Sequence, residues 1–182
     1  MPKLVTIFAL MTLSAMLTGC GFQLRGAAPV PDALQPLSVR CDDSVPQSLC
    51  LAVESQLRQG QVTVTRGEDA SYQLQLVNFR QQQRTSAVTA RGEAAEYDLR
   101  QTLHLSLITR DQVPLIADTA VSAARSYRFD STRVLAKRRE QRELERTLYD
   151  TLARQVIFRL SPFDQTTIDE IRERSKAARE GQ

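Results

Sequence analysis

The chain has 182 residues, with 24 Lys or Arg against 21 Asp or Glu, which gives a formal net charge of +3. That length allows one domain with its own core, and the charge is weak enough that the local placement of cations is more informative than their sum. The single histidine and the lack of metal-ligand, nucleotide, hydrolase and nucleic-acid motifs exclude the usual metal, catalytic and DNA-binding classes.

The first 19 residues have the form of a cleaved export signal. Lys3 supplies the positive charge, and the apolar run after it is shorter than the roughly 20 residues that a transmembrane helix needs. Leu17-Thr18-Gly19-Cys20 then looks like a bacterial lipobox, in which small residues admit a peptidase and the thiol carries a lipid. The alternative is a plain secretory signal that happens to end before a cysteine. We expect a diacylglycerol and an N-acyl chain on Cys20, no other cofactor, and a linker over 20–36.

A short strand and a helix follow the linker. Leu37-Ser38-Val39-Arg40 reads as a strand, and Ser44 with Gln47 three residues later predicts a capping box at the start of a helix. An apolar stripe of Leu49, Val53 and Leu57 supports that helix, and Gly60 is the residue expected to end it in a left-handed conformation.

Two cysteines flank the start of this helix. Cys41 and Cys50 belong to a chain bound for an oxidising compartment, so a disulfide between them is favoured over two buried free thiols. The chain-entropy argument gives such a short closed loop about 2.5–3 kcal/mol of stabilisation.

Alternating apolar and polar residues predict the remaining strands. Val62-Thr63-Val64 is a short strand, Tyr72–Val77 alternates and runs on through Ser86, and Gly92 marks a turn. The clearest strand has Tyr97, Leu99, Leu103, Leu105 and Leu107 on one face, with Asp98, Arg100, Thr102, His104 and Ser106 on the other. A further strand to Tyr127 places Val113, Leu115, Ala117, Val121 and Ala123 together.

A second, longer helix closes the domain. Ser131 or Thr132 is expected to cap it, Leu144, Leu148, Leu152 and Val156 form its inner stripe, and it ends near Leu160. Residues 163–182 are charged and poor in apolar side chains, so we expect a mobile tail with at most a transient helix from Ile168.

This order of elements predicts an α+β fold over 37–162. Two amphipathic helices would cover one face of a mainly antiparallel sheet of about four strands, in a two-layer sandwich.

Two basic groups are candidates for anion binding. Arg80, Arg84 and Arg91 follow a strand towards a turn, while Lys137 and Arg138 lie in the first turns of the long helix. Cations near a helix N-terminus oppose the helix dipole, so phosphate recognition is one reason to keep them there. The alternative is ordinary solubility, with pairing to the nearby glutamates at 140, 143 and 145.

Four stretches resemble the LptE family of lipopolysaccharide-assembly lipoproteins. They are Cys20 to Gly26, Ala95-Glu96-Tyr97, Arg125-Ser126-Tyr127 with Phe129-Asp130, and Leu135-Ala136-Lys137. Their order and spacing together carry the resemblance, which spans most of the chain from Cys20 to about Leu160. The two cysteines at 41 and 50 are outside that pattern.

The resemblance implies a protein that is not an enzyme and binds no nucleic acid. It implies a lipid anchor on the periplasmic side of the outer membrane, a heterodimer with the β-barrel LptD as its plug and assembly partner, and binding of lipopolysaccharide. The phosphates of lipopolysaccharide would then contact Arg91, Lys137, Arg138 and Arg84. A structural lipoprotein that tethers the outer membrane to peptidoglycan or to another envelope complex is the alternative function.

Overall fold

A computed structural model describes residues 30–65, 67–88, 90, 94–128 and 134–181. Two single-turn 3-10 helices, Asp32–Leu34 and Gly67–Asp69, accompany the main elements. In chain order the main elements are β1 (Leu37–Cys41), α1 (Gln47–Gln59), β2 (Val64–Thr65), β3 (Tyr72–Val88), β4 (Ala94–Thr109), β5 (Pro114–Arg128), α2 (Val134–Leu160) and α3 (Gln165–Glu180).

The strands form one sheet in the order β2-β1-β3-β4-β5. β3, β4 and β5 make an antiparallel meander, whereas β1 runs parallel to both of its neighbours, β2 and β3. α1 supplies the crossover that a parallel pair such as β1 and β2 requires. The predicted α+β class and mainly antiparallel sheet are therefore confirmed, with the short β2 as a fifth strand.

One face of the sheet is buried against the helices. The predicted stripe of α1 is fully buried, as are Leu99, Leu103, Leu105 and Leu107 of β4. Leu148, Leu152 and Val156 of α2 pack into the same core, while Leu144 is half-buried at its margin. α2 contacts α1, β4 and β5, so the helices form the second layer of the sandwich.

The start of α1 differs from the predicted capping box. The helix begins at Gln47, and Pro46 occupies the N-cap position without a side-chain hydrogen bond. The Ser44 hydroxyl instead donates to Asp42 at 2.6 Å and accepts from the Phe79 backbone N–H at 2.9 Å. Because its oxygen is used to hold the β3 backbone, Ser44 is not available to cap the helix; its hydrogen bond also lowers the pKa of Asp42.

The end of α1 also differs from the prediction. Gly60 has an ordinary φ of −79°, whereas Gln61 has a φ of 63°. The N–H of Gln61 bonds to the carbonyl of Arg58, and the N–H of Val62 bonds to that of Leu57. These are the two hydrogen bonds of a Schellman ending, with Gln61 at the left-handed position.

Replacing Gln61 by glycine should therefore stabilise the protein. A side-chain-bearing residue in the left-handed region costs about 1–2 kcal/mol, which exceeds the added chain entropy of glycine in the unfolded state. We expect the free energy of unfolding to rise by about 0.5–1 kcal/mol, measured by urea denaturation. Gly60→Ala is the control and should not destabilise, because its Cβ would lie 3.4 Å from the nearest atom, the Leu57 oxygen. A lower stability for Gln61→Gly would contradict this account.

A bulge in β5 changes which of its residues face the core. Leu105 pairs with Thr119 but Leu107 pairs with Ile116, so β5 contains one extra residue between these pairs. The extra residue shifts the alternation: Leu115, Ile116, Val121 and Ala123 are buried, but Ala117 is exposed. The prediction that Ala117 belongs to the inner face is wrong for this reason.

The prediction of a mobile tail is wrong for residues 163–181. They form α3, which begins at an N-cap aspartate whose carboxylate accepts from the Thr167 N–H at 2.8 Å. Ile168 is fully buried in the core, and Phe163 and Ile171 are partly buried against the same core. Arg172 also pairs with Asp111, in the turn between β4 and β5, at 3.5 Å. Three apolar residues are thus enough to dock this helix.

The predicted linker over 20–36 also gives way to structure before its end. Val30 and Leu34 are buried and belong to the same core as the sheet and helices.

Cys41 and Cys50 form a disulfide that links the end of β1 to the first turn of α1. Their Cα atoms are 6.3 Å apart, and the Sγ atoms are bonded at 2.05 Å. No helix in the described ranges is both long enough and apolar enough to cross a membrane.

Candidate functional site: the distal half of the sheet

The β3–β4–β5 meander extends well beyond β1 and β2. We call its far part the distal half: Arg80–Val88 of β3, Ala94–Thr102 of β4 and Ser122–Arg128 of β5. β1 pairs with β3 only as far as Leu76, so β3 has a single neighbour throughout the distal half. Its residues from 80 to 86 are all exposed.

The outer face of the distal half, away from the helices, carries exposed arginines. Arg84 lies opposite Asp98, and Arg100 lies between Gln82 of β3 and Ala124 of β5. The same alternation puts Arg80, Arg128 and Glu96 on this face, so four arginines stand against two carboxylates. Within the described ranges, none of these arginines forms an ion pair; Arg84 donates instead to the Gln82 side chain at 3.4 Å.

The predicted site residues fall in different parts of this half. Arg84 is on the outer face, whereas Lys137 and Arg138 belong to the first turns of α2, in the helical layer on the other face. Nothing is described of the side chains of Lys137 and Arg138. Arg91, between β3 and β4, and Cys20 lie outside the described residues. The structure therefore puts Arg84 on the face away from α2, although the resemblance implies that it contacts the same phosphates as Lys137 and Arg138.

The inner face of the distal half contains a polar network that the sequence analysis missed. Gln101 of β4 is fully buried and donates to Gln81 of β3 at 2.7 Å. Gln81 in turn donates to Glu145 of α2 at 3.0 Å, and Gln141 donates to the same carboxylate at 3.2 Å. These bonds hold α2 over the distal half. The signal was available, because position 101 falls between Leu99 and Leu103 on the apolar face of the strand.

Two aromatic pairs lie beside this network. Tyr97 and Tyr127 face each other across β4 and β5 with ring centroids 5.8 Å apart, and Phe79 meets Tyr149 edge-on at 6.0 Å. Burial, followed by the nearby Tyr97 and Glu140, raises the pKa of the Tyr127 hydroxyl. Such pairs typically contribute about 0.5–1.5 kcal/mol beyond their buried area.

The histidine predicted on the wet face pairs with an acid. His104 Nδ1 lies 3.0 Å from both carboxylate oxygens of Asp118, across β4 and β5. The described residues contain no group of three or more His, Cys, Asp or Glu that could hold a metal ion. The distal half thus offers exposed cations and hydrogen-bonding groups, which suit an anionic ligand or a polar protein surface.

Comparison with known proteins gives a family match over most of the chain. A family model described as LptE, lipopolysaccharide-assembly, matches residues 34–160. The LPS-assembly lipoprotein LptE of Yersinia enterocolitica is 29% identical over 159 residues, covering 85% of this chain and 74% of the relative. Its counterpart in Pectobacterium atrosepticum is 31% identical over 156 residues, covering 81% and 80%.

Solved structures match the fold. Rare lipoprotein B from Shewanella oneidensis superposes with a TM-score of 0.59 at 21% identity, over 69% of this chain and 93% of its own. Lipoprotein B from Nitrosomonas europaea gives a TM-score of 0.66 at 16% identity, over 83% and 97%.

Proposed function

The chain belongs to the LptE family of lipopolysaccharide-assembly lipoproteins, and we propose that it helps to assemble lipopolysaccharide at the outer membrane as a partner of the β-barrel LptD. The observation that carries the proposal is the family match over residues 34–160, which extends from the start of the domain to the end of α2. In this role the protein is not an enzyme: it binds a ligand and a partner.

The shape of the distal half supports a role inside a barrel. Three long strands extend past β1 and β2 with a polar, largely exposed outer face, and the lumen of an outer-membrane barrel is itself polar. A sandwich of this size, with its core closed by its own helices, can fill such a lumen as a plug.

A lipid anchor would hold the protein at the membrane. Cys20 would carry a diacylglycerol and an N-acyl chain, and each buried methylene contributes about 0.8 kcal/mol. Glycine rather than aspartate at position 21 permits sorting to the outer membrane. Incorporation of labelled palmitate into the wild type but not into Cys20→Ser tests this anchor.

The ligand would be bound through its phosphates. The proposed cations are Arg91, between β3 and β4 in the chain, and Lys137 and Arg138, at the start of α2. Each charge-assisted hydrogen bond to a lipid A phosphate contributes about 1.5–3 kcal/mol before desolvation is counted. Arg84 lies on the outer face, so it would contact the same ligand only if the ligand extended around the sheet.

We expect Arg91→Glu combined with Lys137→Glu to weaken lipopolysaccharide binding at least about tenfold, or roughly 1.4 kcal/mol. The reversal replaces two attractive charges near the phosphates with two repulsive ones. The measurement is the equilibrium dissociation constant of the purified lipoprotein for lipopolysaccharide, together with recovery of LptD after mild detergent extraction. Folding and LptD recovery should be unchanged.

Arg174→Glu with Lys176→Glu is the matched control, because both residues are exposed on α3 and the change in net charge is the same. Arg84→Glu alone tests whether the outer face contributes to lipopolysaccharide binding independently of Arg91 and Lys137. If Arg91→Glu with Lys137→Glu bound lipopolysaccharide as tightly as the wild type, the assignment of these two residues to its phosphates would be refuted. Absence of LptD from the wild-type preparation would refute the partnership and favour a tethering lipoprotein.

A further inference from the structure

β5 is a long sheet edge whose backbone groups can be assigned to two sides. The Thr109 N–H donates to the Val113 carbonyl, so every second residue of β4 counted back from Thr109 points its backbone towards β5. In register with these residues, Val121 and Ala123 point back towards β4. Ala120, Ser122, Ala124 and Ser126 therefore direct their N–H and C=O groups outward, away from the sheet.

One side-chain contact supports this assignment independently. The Gln155 side-chain amide, from α2, donates to the Ser122 carbonyl at 3.0 Å. Within the described ranges, β5 pairs with β4 alone. Ala120, Ser122, Ala124 and Ser126 are all exposed, so a further strand can approach their backbone, sharing the Ser122 carbonyl with Gln155 or displacing that amide.

The two edges of the sheet differ in how they are protected. β2, at one edge, is two residues long, and beyond it the distal part of β3 has a free, exposed side that carries Arg80 and Arg84. β5, at the other edge, is 15 residues long and is the free strand that borders α2 and a groove. Proteins usually shorten, cover or charge an edge strand, because a long row of unpaired groups is a template for another strand. The bulge near Ile116 interrupts only the first part of β5, and residues 119–128 remain regular.

A groove beside this edge has a definite chemical character. It runs between β5 and the C-terminal half of α2, and its lining includes Arg154, Arg159 and Phe158. Phe158 is 67% exposed beside the groove, the largest value among the big apolar side chains of the described ranges. No described carboxylate lines the groove, and Arg125, which pairs with Leu99 and so lies on the helix-facing side of β5, adds an exposed cation near it.

We propose that Ala120–Ser126 of β5 binds an extended, acidic segment of the barrel partner as an added strand. The inference rests on the proposed function and names the contact through which the partner is held. Backbone hydrogen bonds to the outward groups give affinity, as in other strand additions. Phe158 receives an apolar side chain of the segment, and Arg125, Arg154 and Arg159 select acidic ones.

The occupant is a segment outside the barrel wall. Strands of a closed barrel already have both neighbours, so a wall strand has no backbone groups left to pair with β5. A second copy of this chain is a poor occupant, because β5 against β5 would bring two sets of arginines together.

The test compares Ala124→Pro with Ala124→Ser in the full acylated protein, co-expressed with LptD. Proline removes an outward N–H and leaves the hydrogen bonds of β5 to β4 intact, whereas serine keeps the donor. We expect Ala124→Pro to reduce LptD recovery at least about tenfold at equal expression, and Ala124→Ser to behave like the wild type. Arg154→Glu with Arg159→Glu leaves the backbone unchanged and should reduce LptD recovery by a similar factor. This second variant tests the inference even if the proline variant does not fold.

A photocrosslinker at Phe158 identifies the occupant directly. The expected adduct is with one acidic LptD segment outside the barrel wall. Adducts with a barrel strand or with a second copy of this chain, or normal LptD recovery by the folded variants, would overturn the inference while leaving the proposed function intact. If the wild type itself recovers no LptD, both fail together.

Discussion

Replacing Ile168 by alanine should lower the free energy of unfolding by about 2–5 kcal/mol. Ile168 is fully buried and is the residue of α3 that belongs to the core, while Phe163 and Ile171 are only partly buried against that core. Truncation leaves a cavity that a docked helix cannot easily close. The measurement is urea denaturation of the purified protein followed by circular dichroism, with the change read from the midpoint at constant slope.

Two neighbouring substitutions serve as controls. Thr166→Ala, at an exposed position of the same helix, should change stability by less than about 0.5 kcal/mol. Ile171→Ala, at a half-buried position, should fall between the two. If Ile168→Ala matched Thr166→Ala, α3 would contribute nothing to the fold and residues 163–181 would behave as a mobile tail.

Removing the disulfide should cost about 2.5–3 kcal/mol, from the entropy of the loop it closes in the unfolded chain. The two cysteines are nine positions apart, and the bridge ties β1 to α1. The variant is Cys41→Ala with Cys50→Ala, since a single substitution would leave a reactive thiol. Chemical denaturation of wild type and variant, without reductant, gives the difference.

A reductant provides the internal control for this comparison. It should destabilise the wild type by a similar amount and leave the double variant unchanged. Under denaturing conditions without reductant, we expect neither Cys41 nor Cys50 of the wild type to react with an alkylating agent. Reaction of both would show that the bridge is absent from the mature protein.

Periodicity predicted the layers of this fold well. The stripes of α1 and of the later part of α2 repeat every four residues, and the inner leucines of β4 repeat every second residue. Each spacing puts its apolar side chains on one face, and the spacing itself distinguishes helix from strand. α3 was not predicted as a docked helix because it has few apolar residues. Ile168 and Ile171 still lie three apart on one helical face, and Asp164 caps it, so the local signal was present but short.

The misplaced details depend on contacts between segments far apart in sequence. Ser44 caps no helix because it binds the backbone of Phe79, 35 residues away. Ala117 faces solvent because a bulge shifts the register of β5 against β4. Local patterns contain no information about either event.

The candidate site was predictable as a set of cations but not as a surface. The sequence can place Arg84 on a strand and Lys137 on a helix, but only the sheet register shows that Arg84 faces away from the helical layer. The edge of β5 was equally hidden, since strand order is a property of the whole fold. Gln101 is the exception, because its position on an apolar face marks it as a buried polar group.

The parallel placement of β1 has a consequence for the order in which the chain folds. β3, β4 and β5 can zip together through short turns, each strand finding its neighbour in the chain. β1 is the first strand made, yet it sits between β2 and β3 and pairs Leu37 with Tyr72. That contact closes a long loop and is among the slower kinds to form. We therefore expect β1 to complete the sheet late, after the meander is in place.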